Sequence, residues 1–253
     1  MKKYIDLIEQ TFEFPQEEFK VENNKLFFNG VPLMDIIEKY GTPLKLTYLP
    51  KISENIKYAK QIFNNAIKKY NYEADYTYCY CTKSSHFNFI LEEALKNDIH
   101  IETSSSFDIP IVRKLYEKGK IKKSTNIVCN GFKRPLYKQY ISELLNDGFE
   151  NCIPVLDNLN ELQHYEENVE GSYNVGIRIA ADEEPKFEFY TSRLGIRYGD
   201  INTLYRDQIK PSKKAKLKLL HFFINTGIKD TAYYWSELSR FIFKYCELKK
   251  RMP

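Results

Sequence analysis

Residues 76–85 read YTYCYCTKSS. An aromatic and cysteine-rich run to Thr82 predicts a strand, Lys83 stands at its tip, and the two serines open an amphipathic helix. Strand ends hold their side chains rigidly, so functional groups placed there are well oriented. The local pattern leaves two readings of Lys83 open: a solvated lysine at a strand end, or an amine set to work on a carbonyl.

Working outward, the same strand–helix alternation recurs. Upstream, residues 25–30 (KLFFNG) predict a strand closed by an Asn-Gly turn, and residues 32–40 a helix stopped by Gly41. Residues 43–49 predict a strand ended by Pro50, and residues 52–70 a helix through Ile52, Ile56, Ala59 and Ile67. Downstream of Lys83, Ser84 or Ser85 is expected to cap a helix bearing Phe87, Ile90, Leu91 and Leu95. A strand at 99–102 leads to TSSS, where Ser105 and Asp108 have capping-box spacing for a helix over 107–118 packed through Phe107, Val112 and Leu115. Strands are expected at 126–129, 152–156, 173–180 and 219–225. Helices are expected at 135–146, around Leu159, Leu162 and Tyr165, and at 230–250. The last helix has a predicted buried stripe of Trp235, Leu238, Phe241 or Ile242, Tyr245 and Leu248. Residues 182–200 lack periodicity.

Six consecutive strand–helix units predict an α/β fold with a parallel sheet. No GxGxxG or Walker A loop follows any strand, which disfavours a nucleotide fold. The strand ends carry Lys83, Glu102 with Ser104 and Ser105, Asn130, Asp157, Arg178 and His221. Such convergence favours a (β/α)8 TIM-type barrel, in which every strand end faces one site. Six units are fewer than eight, and KKRMP follows a helix where another strand is due. The expectation is an incomplete barrel, with 1–42 as an N-terminal extension, 43–253 as a truncated barrel domain and a C-terminal β domain absent.

Composition narrows the class. The chain has 253 residues, is 43% hydrophobic and 28% charged, and carries a net charge of +4. That is foldable and only mildly basic, without a nucleic-acid-binding signature. Five cysteines in no CxxC pair suggest free thiols in a reducing compartment, and no run approaches a membrane span. A cytoplasmic protein is expected, with no metal centre, because the four histidines are scattered.

A lysine amine at a strand end suits pyridoxal 5'-phosphate, which it can hold covalently while the ring accepts electrons from a departing carboxylate or proton. The motifs support that chemistry by resemblance. Tyr80-Cys81-Thr82-Lys83-Ser84-Ser85 resembles the Tyr-x-x-Lys-x-Asn motif of the alanine-racemase-fold (fold type III) decarboxylases. Glu102 to Asp108 is similar to that family's acid–hydroxyl–acid segment. Asp157 in VLDNLNEL, Arg178 in GIRIA, residues 191–196 (TSRLGI) and residues 220–227 (LHFFINTG) resemble further motifs in the same order. The nearest branch is that of the bacterial biosynthetic arginine decarboxylases.

The resemblance implies a cytoplasmic homodimeric lyase of polyamine biosynthesis that decarboxylates a basic amino acid, arginine to agmatine first. Lys83 is then the catalytic Schiff-base lysine, and Glu102, Ser105, Arg178, His221 and Phe223 line the cofactor site. Two departures stand out: Ser85 replaces an asparagine, and Phe223 replaces the ring-stacking histidine. The segment alone is expected to be inactive, because the phosphate loop and the acid facing the pyridine nitrogen lie beyond residue 253 in the family. Diaminopimelate or ornithine decarboxylation, and a non-catalytic cofactor-binding or regulatory homologue, remain as alternatives. On local grounds alone Ser104, Ser105 and Asp157 read as helix caps, Arg178 equally as an ion-pair residue, His221 as a core histidine and Phe223 as a core side chain.

Overall fold

The computed structural model describes residues 18–180, 194–223 and 231–251. The chain divides into two compact units, Met1–Ile52 and Ser53–Pro253.

The first unit holds a three-stranded antiparallel sheet, β1 (Phe19–Glu22), β2 (Lys25–Phe28) and β3 (Val31–Pro32). Its turns are built at Asn23-Asn24 and Asn29-Gly30, all four with positive φ, as two-residue hairpins of the favoured twist require. Helix α1 (Leu33–Tyr40) stops at Gly41, whose amide bonds back to Ile37. The strand expected at 43–49 does not form. A strand exists through its ladder, and residues 43–48 pair with none; α2 (Leu49–Lys69) then begins with Pro50 in its first turn, where a missing N–H is no loss.

The second unit is a six-stranded sheet of β4 (Cys79–Cys81), β5 (His100–Thr103), β6 (Ile127–Cys129), β7 (Cys152–Leu156), β8 (Tyr173–Arg178) and β9 (Ala215–His221). Spatial order equals sequence order, and every neighbouring pair is parallel. Parallel neighbours need long crossovers, supplied mainly by α3 (Asn88–Leu95), α4 (Asp108–Glu117), α5 (Pro135–Asn146) and α6 (Glu161–Asn168). All five residues of β7 are buried. The core joins Ile101, Ile127, Val175 and Ile177 of the strands to Leu91, Val112, Leu115, Ile141 and Leu162 of the helices.

The sheet curves strongly. Laid flat, β4 and β9 would lie about 24 Å apart and β6 and β9 about 14 Å apart. Instead the Lys83 Nζ after β4 is 5.1 Å from the centre of the Phe223 ring after β9, and the amide of Asn130 after β6 is 3.2 Å from His221 of β9. Such contacts across the sheet require a barrel-like closure of the strand ends.

Several boundaries differ from expectation. β9 starts at Ala215, inside the lysine-rich stretch. Ala215, Lys216, Leu217 and Lys218 alternate in and out with the period of a strand, and the lysines face solvent. Neither Ser84 nor Ser85 caps α3, because Ser84 closes a single 3-10 turn, Thr82–Ser84, and Phe87 precedes the helix. Phe107 is 82% exposed rather than packed.

Helix α8 (Thr231–Arg251) forms as expected and buries Phe241 and Leu248 of the expected stripe, with Glu237 and Lys244 beside them, while Trp235 and Tyr245 stay exposed. The charged members of that face are satisfied locally. The Lys244 ammonium lies 4.1 Å from the Tyr198 ring centre and 2.7 Å from Glu247, while Arg240 pairs with Glu237 at 2.8 Å. Phe222 stacks on Phe241 at 4.1 Å. A further helical segment, α7 (Ile201–Leu204) continued by a π turn at Tyr205–Ile209, buries Ile201, Leu204, Tyr205 and Ile209. Among the described residues, no helix is long and apolar enough to cross a membrane.

One loop extends β8. Ile196 donates its amide to the Arg178 carbonyl (2.7 Å) and accepts from Ala180 (2.9 Å). Gly195 permits this: its φ is +105°, and a Cβ there would stand 2.8 Å from the Ala180 nitrogen.

Candidate active site

The site is assembled where strands β4 to β9 end. Thr82, fully buried, donates its hydroxyl to the Glu102 carbonyl at 3.1 Å and so locks the end of β4 to β5. The next residue, Lys83, is thereby held at the rim and exposed. Its ammonium faces the Phe223 ring, and the Arg178 guanidinium lies 5.8 Å from the same ring centre. Three expected site residues therefore meet around one aromatic plane.

A second group joins β5, β6 and β9. The Asn130 amide nitrogen donates to Glu102 Oε1 at 2.9 Å and lies 3.2 Å from His221 Nε2. The orientation of that amide follows from chemistry: its oxygen turned toward the Glu102 carboxylate would set two acceptors together. With an amide N–H pointing at it, His221 Nε2 accepts, so the neutral ring carries its proton on Nδ1. That atom is buried without a partner among the described residues, as is Asn130 Oδ1.

Burial first, then the cations Arg178, Lys133 and Lys83, push the His221 pKa down to about 4. An unfolded histidine titrates near 6.5, so between those values the unfolded chain binds the additional proton. Stability is therefore lost as pH falls from about 6.5 toward about 4, by roughly 2–3 kcal/mol from this group. Urea unfolding at pH 7 and pH 4.5 is expected to show a smaller loss in His221→Gln than in the parent.

A third group lies deeper. Arg178 Nη1 is 3.7 Å from Asp157 Oδ1, and Asp157 Oδ2 is 3.8 Å from Lys133 Nζ. Lys133 pairs more closely with Glu161 (2.9 Å) and donates to the carbonyls of Gly131 and Val155. Glu161 in turn accepts from the Asp157 amide at 3.0 Å. Burial raises the pKa of both acids, and Lys133 opposes the rise. Asp157 is thus not the helix cap expected from its position. It is a buried carboxylate between two cations, and neither of its oxygens has a hydrogen-bond partner among the described residues.

Ser105 sits apart from these groups in its bonding. Its hydroxyl and amide, with the Ser104 amide, converge on Asp108 Oδ2 at 2.9 to 3.0 Å, so the capping-box spacing is realised through the aspartate. The segment 191–193 and residues 224–227 of the expected motifs lie outside the described residues.

Sequence reasoning missed Lys133 and Glu161. The run Phe132-Lys133-Arg134-Pro135 reads as a charged loop, and Glu161 reads as the cap partner of Asn158; no local signal marks either as buried. Asn130 reads as a strand-end residue but not as a site residue. A cleft of about 560 Å³ lies elsewhere, beside Lys57, Lys60, Asn64 and Lys96. It brings lysines and amides together but no acid–base pair.

No family model matches the chain. In sequence it is 27% identical over 229 residues to the biosynthetic arginine decarboxylase of Shewanella sediminis, covering 82% of this chain and 34% of that protein. With the corresponding enzyme of Shewanella halifaxensis it shares 28% identity over 210 residues, covering 75% of this chain and 31% of that protein. The chain resembles the biosynthetic arginine decarboxylases. It spans about a third of the length of the curated relatives it matches.

Solved structures agree on the architecture. A diaminopimelate decarboxylase from M. jannaschii superposes with a TM-score of 0.75 at 19% identity, covering 93% of this chain and 54% of that one. The biosynthetic arginine decarboxylase of Campylobacter jejuni gives 0.68 at 18% identity, covering 99% and 42%. The fold is the alanine racemase-like (β/α)8 barrel of these decarboxylases, of which six parallel strands are described here.

Proposed function

We propose that this chain provides the cofactor-binding face of a pyridoxal-phosphate-dependent decarboxylase for a basic amino acid, arginine first, and that Lys83 holds the cofactor. The observation that carries the reading is the convergence of Lys83 and Arg178 on the Phe223 ring at the closed ends of β4, β8 and β9. A lysine-decarboxylase relative in fold, at a TM-score of 0.70 and 14% identity, was solved with the cofactor.

The residues present fit the group. Lys83 offers an exposed primary amine for a covalent link to an aldehyde. Phe223, 44% exposed, offers an apolar plane of about the size of the cofactor ring. Arg178 offers a cation for an anionic substituent. The buried His221 Nδ1–H is a donor with no partner among the described residues, set for a ligand acceptor.

When bound, pyridoxal 5'-phosphate supplies an electron sink for the pair left behind as carbon dioxide departs. The chain supplies position and charge. Phe223 orients a ring by stacking and keeps water from one face, but unlike a histidine it donates no hydrogen bond. Glu102, fixed by Asn130, places a carboxylate beside neutral His221, where it can attract the cationic end of a basic amino acid or hold a proton.

The same reading includes a homodimer, a cytoplasmic setting and a barrel domain that runs from residue 43. Its test is carbon dioxide release by the full-length gene product from arginine, ornithine, lysine and diaminopimelate. Arginine is expected to react fastest. Preference for another of the four moves the substrate, and cofactor binding without release from any supports a non-catalytic homologue.

A further inference from the structure

The Lys133 side chain has no exposed surface. Burying an ammonium costs several kcal/mol unless its protons find acceptors. Here the carbonyls of Gly131 and Val155 and the Glu161 carboxylate provide them. A tie between strand ends alone could be made by an apolar side chain at the same place. What the charge adds is a relation to Asp157. That carboxylate is buried, its oxygens accept no hydrogen bond among the described residues, and it stands between Lys133 at 3.8 Å and Arg178 at 3.7 Å. The charges therefore alternate from Glu161 through Lys133 and Asp157 to Arg178, which ends beside Phe223.

We propose that Lys133 is a positioning residue: acting through Asp157, it fixes the Arg178 guanidinium beside Phe223, where Arg178 meets an anionic group of the bound cofactor. The proposal rests on the reading that Lys83 holds pyridoxal 5'-phosphate. Burial drives Asp157 toward its neutral form, and Lys133 is the first of the charges opposing that. With Lys133 neutralised, Asp157 loses its hold on the guanidinium, and Arg178 is free to turn.

The test compares Lys133→Met, Asp157→Asn and the double variant with the parent protein. Two quantities are measured: the dissociation constant for pyridoxal 5'-phosphate, and the rate at which phenylglyoxal labels Arg178 in cofactor-free protein, mapped by mass spectrometry. Each single variant is expected to weaken cofactor binding about tenfold and to label Arg178 several-fold faster, and the double variant to do no more than either single. A merely structural role lowers the melting temperature of the folded variants but moves neither quantity, and that result overturns the proposal. Losses that multiply in the double variant overturn it as well, because they exclude action in series. If Lys133→Met does not fold, Asp157→Asn decides, since it leaves Lys133 paired with Glu161. If borohydride fails to trap cofactor on Lys83 in the parent, the cofactor reading fails; the labelling rates then decide the Lys133–Asp157–Arg178 clamp by themselves.

Discussion

In the full-length gene product, Lys83→Ala is expected to abolish the visible absorbance of bound pyridoxal 5'-phosphate and to lower decarboxylation by about 10³-fold or more. Lys83 is exposed, and its neighbour Thr82 rather than Lys83 itself ties β4 to β5. Replacing an exposed side chain away from caps and buried pairs typically changes stability by less than about 0.5 kcal/mol. The variant should therefore fold and unfold like the parent while losing its chemistry. Lys83→Arg sharpens the result. It keeps a cation near the Phe223 ring, where Lys83 now lies at 5.1 Å, but offers no amine for a covalent link. If charge near the ring were the only requirement, Lys83→Arg would retain the spectrum and the rate. The account predicts that it loses both.

The second large effect is on folding. Glu161→Ala is expected to destabilise the protein by about 3–5 kcal/mol, a large share of the roughly 5–15 kcal/mol that holds an ordinary domain together. Glu161 is 3% exposed and faces, at 2.9 Å, a lysine whose side chain has no exposed surface. Its removal leaves that ammonium with two carbonyls and a more distant Asp157, and strips the Asp157 amide of its acceptor. The cost is that of an uncompensated buried charge, more than the worth of the pair itself. Replacing both partners with apolar residues, Lys133→Met with Glu161→Leu, is therefore expected to recover most of the loss. Urea denaturation of the three proteins measures it as a shift in midpoint at constant slope. A double variant as unstable as Glu161→Ala would contradict the argument.

What the sequence discloses follows the range of the forces involved. The bounds of β7 and α5 match the expectation residue for residue, because a buried five-residue run and a Pro-initiated helix are local signals. The curved order of strands was legible too, through six regular strand–helix units. The face of α8 was legible only in part: Phe241 and Leu248 are buried as expected, Trp235 and Tyr245 are not, and the partners Tyr198 and Phe222 decide which side turns inward. Residues 43–49 show the same limit, since β propensity makes no strand without a neighbour to pair with.

In the site, Lys83, Arg178 and Phe223 are separated by up to 140 positions in sequence; their place at strand ends of a barrel joins Lys83 to Arg178, and only the resemblance to ordered motifs adds Phe223. Burial of Lys133 has no sequence signature at all. A lysine between Phe132 and Arg134 reads as solvated until the carbonyls of Gly131 and Val155 and the carboxylate of Glu161 close around it. Asp157 was misjudged for the same reason: a helix cap and a buried ion-pair partner look alike from their neighbours in the chain.

The most direct test of the central claim is to load the protein with pyridoxal 5'-phosphate, reduce it with borohydride, digest it and locate the modified lysine by mass spectrometry. The account predicts a single modified site, Lys83. Modification of a different lysine, or none in a preparation that releases carbon dioxide from arginine, would contradict it.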